Sequence, residues 1–487
     1  MTSAADISTS APPGETPSRQ HYGLTFAALA LSAVTFAVLQ SLVAPALPEI
    51  QRDLHASPTS VTWVLTGYLL SASILTPIIG RLGDMFGKER TLIYSLAILG
   101  AGTLLAALAT NINVLIVGRV IQGGGGAIFP LAFGIIRDEF PRERVATGIA
   151  LISSILGVGA GAGIVLAGPI VDALSYHWLF WIPLFLVVVA TIGTVFFVPE
   201  SPIKTPGHVN WAGAALLAAW LVCLLVGISE GSRWGWGDTR IVGLLAGAAV
   251  LLLLWIRNEQ RADEPLVDMT MMRIRGVWTV NAAAFLVGAG MYSSFVIIPL
   301  FTETRSSAGY GFGASVTQAG LFLLPSTVMM LVVSPLAGRL ANRVGSRVPL
   351  LLGSLATCVS FGFLAAAHSQ PWEFYVGAAL LGMGIGLAFA SLANLIVEAV
   401  PPAQTGVATG MNTVMRTLGG SVGSQIGASV IAATVIGGAL PTEHGFTVAF
   451  IVAAVACGLA ALASLAVPRP GGPAASHAGS FVTDTAT

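Results

Sequence analysis

GRLGDMFGKERT, Gly80 to Thr91, puts Arg81, Asp84, Lys88, Glu89 and Arg90 side by side in a chain that is only 9% charged. Much later GRLANRVGSRVP, Gly338 to Pro349, repeats its frame. Pro77, Gly80, Arg81 and Leu82 match Pro335, Gly338, Arg339 and Leu340 at one constant offset, and Gly87 matches Gly345 at the same offset. A fixed offset kept over several positions is the mark of an internal duplication. Each phrase also follows a long apolar run, so each is expected at the turn where one membrane-crossing helix hands over to the next.

The rest of the chain supports that reading. It has 487 residues, 55% of them hydrophobic, and a mean hydropathy of +0.84. Soluble domains carry about 25% charged residues, so this chain lacks the polar surface to clothe a globule in water. Its apolar runs are about 20 residues long, the length of a helix that crosses a bilayer. Fourteen such runs are read, at 24–48, 59–79, 91–110, 113–136, 146–171, 178–198, 210–229, 240–256, 277–301, 315–338, 347–367, 372–397, 405–437 and 446–467. Barrel strands would alternate over roughly ten residues, and these runs do not. An all-α membrane protein is expected.

Several functions are excluded at this stage. Zero net charge argues against a nucleic-acid surface. No phosphate-cradling Gly-x-x-x-x-Gly-Lys-Ser/Thr segment is present, so ATP-driven pumping by this chain is not expected. Cys223, Cys358 and Cys457 lie inside apolar runs without paired spacing, as small buried hydrophobes do. The seven histidines form no metal-ligand pair and no triad. Neither an enzyme, a metal site nor a cofactor is expected.

Orientation is read from lysine and arginine alone. With the N-terminus in the cytoplasm, sixteen of the 22 basic residues fall in cytoplasmic segments and four outside; Arg119 and Arg416 lie within spans. Both termini are therefore expected in the cytoplasm. The organisation is read as a Ser/Thr/Pro-rich tail over 1–22, six spans in 23–200, two further spans in 201–276, six spans in 277–467, and a second tail over 468–487. The first tail lacks the basic start and apolar core of a secretory signal peptide.

With these features in place, the sequence resembles the fourteen-spanner drug:proton antiporter branch of the major facilitator superfamily, from about residue 24 to 467. GRLGDMFGKER resembles that family's motif between spans 2 and 3, matching Gly80, Asp84, Gly87, Lys88 and Arg90. LIVGRVIQGGGGA, Leu115 to Ala127, resembles its span-4 motif and places Arg119, Gln122 and Gly123. SRWGWG, Ser232 to Gly237, and GMNTVMRTLGGSVG, Gly410 to Gly423, resemble further signatures of the branch. The resemblance implies two six-helix halves around a midplane site, with two extra central helices. It departs at two places. The span-5 antiporter motif reads Gly159-x-x-x-Gly163-Ile164-x-x-Ala167-Gly168, with its proline displaced to Pro169, and Leu39 stands where the branch usually has a span-1 aspartate.

Each residue singled out has a functional and a plainer reading. The Gly80, Arg81, Asp84, Gly87, Lys88 and Arg90 cluster is either a topological anchor or a cytoplasmic gate. In the gate, glycines bring helix ends together at a turn and Asp84 accepts from a neighbouring helix N-terminus or pairs with an arginine. Asn342 replaces the aspartate in the second phrase, so such a gate is asymmetric. Arg119 is either satisfied by Gln122 and backbone carbonyls or serves a water-filled cavity as relay or substrate contact. Gln40, Trp63, Tyr68, Gln122, Asn281, Tyr292, Gln318, Asn394, Asn412, Arg416 and Gln425 either line that cavity or join helix to helix. The glycines of spans 4, 5, 12 and 13, including Gly159/Gly163 and Gly419/Gly423/Gly427, are read chiefly as packing.

The function expected is secondary transport: export of small amphipathic compounds across the cell membrane by alternating access, coupled to protons. The membrane lipid, a small-molecule substrate and protons are its expected partners, and the chain is expected to be a monomer. A nutrient importer of the same superfamily is the alternative. A sensor would need a soluble partner domain, and a channel would show rings of charge or a filter loop. None of the 22 acidic residues falls near the middle of a predicted span; Asp172, Glu303, Glu373 and Glu398 come nearest. Coupling is therefore assigned to Asp172, beside Pro169; the alternatives are a relay through Arg119 with nearby water, or transport without proton coupling. A cavity without an acid points away from cationic cargo.

Overall fold

A computed structural model describes residues 22–56, 58–201, 204, 207–434 and 441–468. Among these residues there are helices and connecting turns but no strand. The first set of helices is α1 (Tyr22–Ser41), a short α2 (Leu47–Asp53), α3 (Pro58–Phe86), α4 (Lys88–Ala107), α5 (Ile112–Gln122), α6 (Ile128–Glu139), α7 (Arg142–Ala173) and α8 (Trp178–Phe197). Next come α9 (Trp211–Trp234), α10 (Thr239–Arg261) and the short α11 (Met269–Arg273). The second set is α12 (Arg275–Glu303), α13 (Val316–Val344), α14 (Arg347–Ala366), α15 (Pro371–Ala399), α16 (Thr405–Ala432) and α17 (Glu443–Ala466).

Thirteen spans are long and apolar enough to cross a membrane, with α5 and α6 forming one of them across the 3₁₀ turn Gly123–Ala127. The fourteenth is α16. Its 28 residues make about 42 Å of helix, ample for a hydrocarbon layer of about 30 Å. It falls short on hydropathy because Thr405, Thr409, Asn412, Thr413, Arg416 and Thr417 interrupt its apolar residues.

The predicted limits shift in three places. Span 1 stops at Ser41, because Pro45 and Pro48 follow, and α2 forms beyond them. Span 2 does not end at residue 79: α3 continues through Gly80 and Gly83 to Phe86, so Arg81 and Asp84 sit on the last turns of a helix rather than in a loop. Only Gly87 makes the turn, at φ +112°, and Gly345 makes the equivalent turn after α13 at φ +83°. The last residues of the predicted run 405–437 lie outside the described residues, as do both tails apart from Tyr22 and Pro468.

The two sets of helices meet along α3 against α16, and along α7 against α13 and α15. Helices α9 and α10 pack on each other, and α9 leans on α3 and α16. Outward faces are apolar: Phe185, Phe196 and Leu253 are 68%, 75% and 67% exposed. Lipid is as apolar as leucine, so helices in a bilayer associate by close packing rather than by hydrophobic burial. Small residues therefore mark the joints. A methyl group on Gly419 or Gly423 would lie 1.8 or 2.4 Å from the carbonyl oxygens of Phe285 and Ala289 on α12.

Candidate functional site

The charged cluster lies where the two sets of helices touch at the end of the bundle carrying most of the basic residues. Asp84, 1% exposed, accepts the backbone N–H groups of Gly406 and Val407, each at 3.0 Å. Both belong to the first turn of α16, so the carboxylate sits on the positive end of a helix dipole and satisfies two otherwise unpartnered donors. One turn earlier on α3, Gly80 faces the carbonyl of Gly406; a methyl group on Gly80 would lie 2.5 Å from that oxygen.

Around this contact the charges are paired. Buried Lys88 binds Asp138 at 2.7 Å and reaches Asp84 at 3.9 Å. The hydroxyl of Ser201 donates to the same Asp138 oxygen. Arg137 donates to Thr405 Oγ1 and to the Val400 carbonyl, both at 2.7 Å, which is a second bridge between the sets of helices. Arg90 and Lys204 approach Glu200 at 3.3 and 3.9 Å. The Glu200 carboxylate lies over Gly87, where a side chain would overlap it. Arg81 and Glu89 are half-buried on either side of this turn.

The repeated phrase occupies the matching joint of the other half. Asn342 on α13 donates to the Glu143 carbonyl at 3.1 Å, in the first turn of α7. Gly338 packs against Thr147, and Asn394 donates to the Ala146 carbonyl at 3.3 Å. The duplication thus builds two similar joints from the same frame. One carries a buried carboxylate and the other a neutral amide.

Arg119 is fully buried on α5. Its Nε donates to the Val64 carbonyl at 3.1 Å, and one terminal nitrogen donates to the Leu39 carbonyl at 3.2 Å and to Gln122 Oε1 at 2.7 Å. Gln122 in turn donates to Thr103 Oγ1, and the guanidinium lies 4.1 Å from the centre of the Tyr68 ring. Its other terminal nitrogen has no hydrogen-bond partner among the described residues. Leu39 therefore meets the arginine after all, through its backbone carbonyl rather than through a side-chain carboxylate. The acceptors anticipated for the plainer reading, Gln122 and backbone carbonyls, are the ones present.

At mid-bundle a cavity of about 40 Å³ separates the two sets of helices; Gln40, Ser73, Thr76, Tyr292, Arg416 and Thr417 are among the residues lining it. A neighbouring cavity of about 20 Å³ lies between α7, α12, α13 and α15. Arg416 stacks over Phe389 at 4.6 Å. A cation–π contact of this kind contributes about 2 kcal/mol when desolvated, against a desolvation penalty of several kcal/mol for a buried ion.

Most of the other nominated cavity residues sit elsewhere, because polar side chains in lipid are consumed by joining helices. Asn412 donates to Asn281 at 2.9 Å, tying α16 to α12. Gln425 donates to the Ser229 carbonyl of α9, and Gln318 completes a capping box with Ser315 at the start of α13. Tyr68 and Gln122 belong to the Arg119 network, and Asn394 to the joint described above. Trp63 lines neither cavity. Of the nominees, Gln40, Tyr292 and Arg416 reach the central cavity.

Helix α7 runs unbroken through Pro169. Gly159 and Gly163 face α1, where the Ser41 hydroxyl donates to the Gly159 carbonyl at 3.0 Å, while Gly168 meets Thr317 of α13. The side chain of Asp172 lies outside the described residues. The ranking of acids by closeness to a span needs correcting: Asp84, Glu230 and Glu259 are within helices and 1%, 5% and 2% exposed. Helices that extend past the apolar runs bring these end-turn acids into the packed interior.

Residues that sequence reading did not single out complete the joint. Arg137 and Asp138, at the end of α6, are two of them. Asp268, outside the spans, accepts from Thr270 and Met271 and from Gln404 Nε2 at 3.2 Å, just before α16 begins. Burial opposes its charge, but the hydrogen bonds outweigh this and hold its carboxyl below the usual range. The segment after the extra helices is thereby fastened to the same helix N-terminus that Asp84 grips.

Two similar sets of six membrane helices, packed on each other around a small cavity at mid-bundle, define a membrane transporter rather than an enzyme. The chain belongs to the Major Facilitator Superfamily, whose family model matches residues 29–424. It is 29% identical over 388 residues to the tetracenomycin C resistance and export protein of Streptomyces glaucescens, covering 79% of this chain and 71% of that one. It is 30% identical to the lincomycin resistance protein of Streptomyces lincolnensis, covering 79% of each chain. With multidrug resistance protein 3 of Bacillus subtilis it shares 29% identity over 78% of this chain and 74% of that one. Among solved structures, the human organic anion transporter MFSD10 superposes with a TM-score of 0.63 at 17% identity, over 92% of this chain and all of that one, which speaks to the fold.

Proposed function

We propose that this protein exports small amphipathic compounds, antibiotics or related metabolites among them, across the cell membrane by alternating access. Relatives named for antibiotic resistance, multidrug resistance and export support the cargo class and direction. The single observation that carries the mechanism is the grip of Asp84 on the first turn of α16, which ties one six-helix half to the other at the C-terminal end of α3. With both termini cytoplasmic, as the basic-residue bias requires, that end is the cytoplasmic one, and the described conformation is shut toward the cell interior. Residues 23–200 and 277–467 act as the rocking halves, with 201–276 carried alongside.

In this reading Gly80, Arg81, Asp84, Gly87, Lys88 and Arg90 form the cytoplasmic gate, and Arg137 reinforces it. Opening breaks two charge-assisted hydrogen bonds, each worth about 1.5–3 kcal/mol, so the gate is held shut firmly yet within reach of cargo or ion binding. Gly159, Gly163, Gly168 and Pro169 form the sliding face of α7. Inward proton flow supplies the energy, with Asp172 as the coupling carboxylate and Arg119 as the fixed positive group of the relay. The test is flux from proteoliposomes under an imposed pH gradient. Export of tetracenomycin C, used as the probe, rises with an inward proton gradient, and Asp172→Asn transports without responding to it. Flux indifferent to the gradient in the unaltered protein overturns proton coupling, and no vectorial flux in any condition overturns export.

A further inference from the structure

The central cavity has an unusual charge balance. Among the described residues lining it there is no carboxylate, and Arg416 is the one charged side chain. Its guanidinium has no hydrogen bond or ion pair among the described residues; it lies over the face of Phe389 and near the Tyr292 hydroxyl, both neutral. Close by, Arg119 is held by carbonyls, an amide and a ring, all of them neutral, and it too lacks an acidic partner. Two positive charges therefore stand in the low-dielectric middle of the bundle with no negative charge to answer them. An ion taken out of water is stabilised only when it is paired, and an aromatic face supplies a small part of that pairing. Where the protein supplies no counter-ion, the ligand can.

The walls add a second requirement. Phe36, Phe129 and Tyr292 present aromatic surface to the cavity, while Gln40, Ser73 and Thr417 offer neutral hydrogen-bonding groups. An arginine above such walls matches a planar acid: the rings pack against aromatic carbon, and the guanidinium fork donates to two oxygens in one plane. We infer that the central cavity binds the anionic group of an aromatic amphiphile, a carboxylate or sulfonate, with Arg416 as its counter-ion. This rests on the transport reading above and narrows it: organic cations, which Arg416 repels and no lining carboxylate among the described residues meets, are not the preferred cargo.

The experiment uses the full chain in lipid nanodiscs and three probes sharing one ring system: anthraquinone-2-carboxylate, anthraquinone-2-carboxamide and 2-(aminomethyl)anthraquinone. Binding is followed by quenching of tryptophan fluorescence, with empty nanodiscs subtracted. The carboxylate binds at least tenfold more tightly than the amide, and the protonated amine binds weakest. Arg416→Gln brings the carboxylate to the level of the amide, and Arg416→Lys retains part of the preference. Tighter binding of the amine, equal binding of all three, or binding of none overturns the inference in the unaltered protein, independently of whether any variant folds. Retention of the full preference in Arg416→Gln overturns the role of Arg416. In parallel, energised everted vesicles are given ethidium and the carboxylate. Uptake of ethidium in preference to the carboxylate sinks the anionic reading and leaves export standing, whereas no energised uptake of either sinks export.

Discussion

Asp84 and Val407, 323 positions apart in the chain, are joined by a 3.0 Å hydrogen bond from a backbone N–H to a buried carboxylate. Lys88 stands behind the carboxylate at 3.9 Å, and Gly80 one turn away lets the two helices come close enough for the bond to form.

Replacing the carboxylate tests what the bond does. Asp84→Asn keeps the shape but removes the charge, weakening two contacts to the positive end of α16. At equal protein level, transport falls about tenfold, the effect of roughly 1.4 kcal/mol. Asn342→Asp changes it less, because Asn342 donates to a carbonyl at a partly exposed joint. Comparable flux in Asp84→Asn and the unaltered protein would reduce the cluster to an anchor.

The glycine beside it is expected to act through geometry alone. Gly80→Ala places a methyl group 2.5 Å from the Gly406 oxygen, a backbone atom that cannot swing aside. Overpacking of this kind costs about 1–3 kcal/mol and is relieved when the halves part at this end. In a background lacking Cys223, Cys358 and Cys457, a cysteine at Ala408 should then react about tenfold faster with a membrane-impermeant thiol reagent. An unchanged labelling rate would show that the joint absorbs the methyl group without opening.

Arg119→Ala strands the Val64 and Leu39 carbonyls and Gln122, each unsatisfied group costing about 1–3 kcal/mol. A lower melting temperature in detergent is expected along with lost transport. Arg119→Lys is the sharper variant: it preserves the charge and much of the fold, but one ammonium cannot span acceptors arranged for a planar fork. Loss of flux in a Lys variant of near-normal melting temperature assigns Arg119 to transport, while normal flux leaves it a scaffold.

The span count and orientation make a separate prediction. A reporter fused after Val467 should be active only in its cytoplasmic form, and one inserted near Trp236 should behave as external. A reporter after Val467 that reads as external removes the even number of spans, and with it the assignment of the Asp84 joint to the cytoplasmic side.

Much of the fold was legible because a bilayer imposes one demand on every span, an apolar run of sufficient length. Where that demand is relaxed, the reading slipped. Apolar character ends near residue 79 but α3 runs on to Phe86, since a helix continues wherever its backbone stays paired, whatever its side chains. The frame shared by Gly80 and Gly338 revealed the duplication, and Asp84 was expected to seek a helix N-terminus, yet nothing local names α16 as the helix it finds. The polar residues were harder for a different reason. Gln40 and Asn412 look alike in sequence, and helix rotation alone decides that one faces the cavity while the other is taken up by Asn281. Arg137 stayed hidden because its partners, Val400 and Thr405, are a carbonyl and a hydroxyl with no charge to advertise the pairing.

The polar character of α16 bears on how the chain is made. A central arginine costs about 2.5–3.5 kcal/mol on insertion scales, and Asn412 and the glycines of α16 add little to offset it. A nascent α16 leaving the translocon alone would favour water. Helices α15 and α17 on either side are strongly apolar, and α12, already inserted, offers Asn281 as a partner for Asn412. Insertion of this span is therefore expected to be cooperative: a chain truncated before α17 should carry α16 into the bilayer less completely than the full chain, as a glycosylation reporter placed after Ala432 would register.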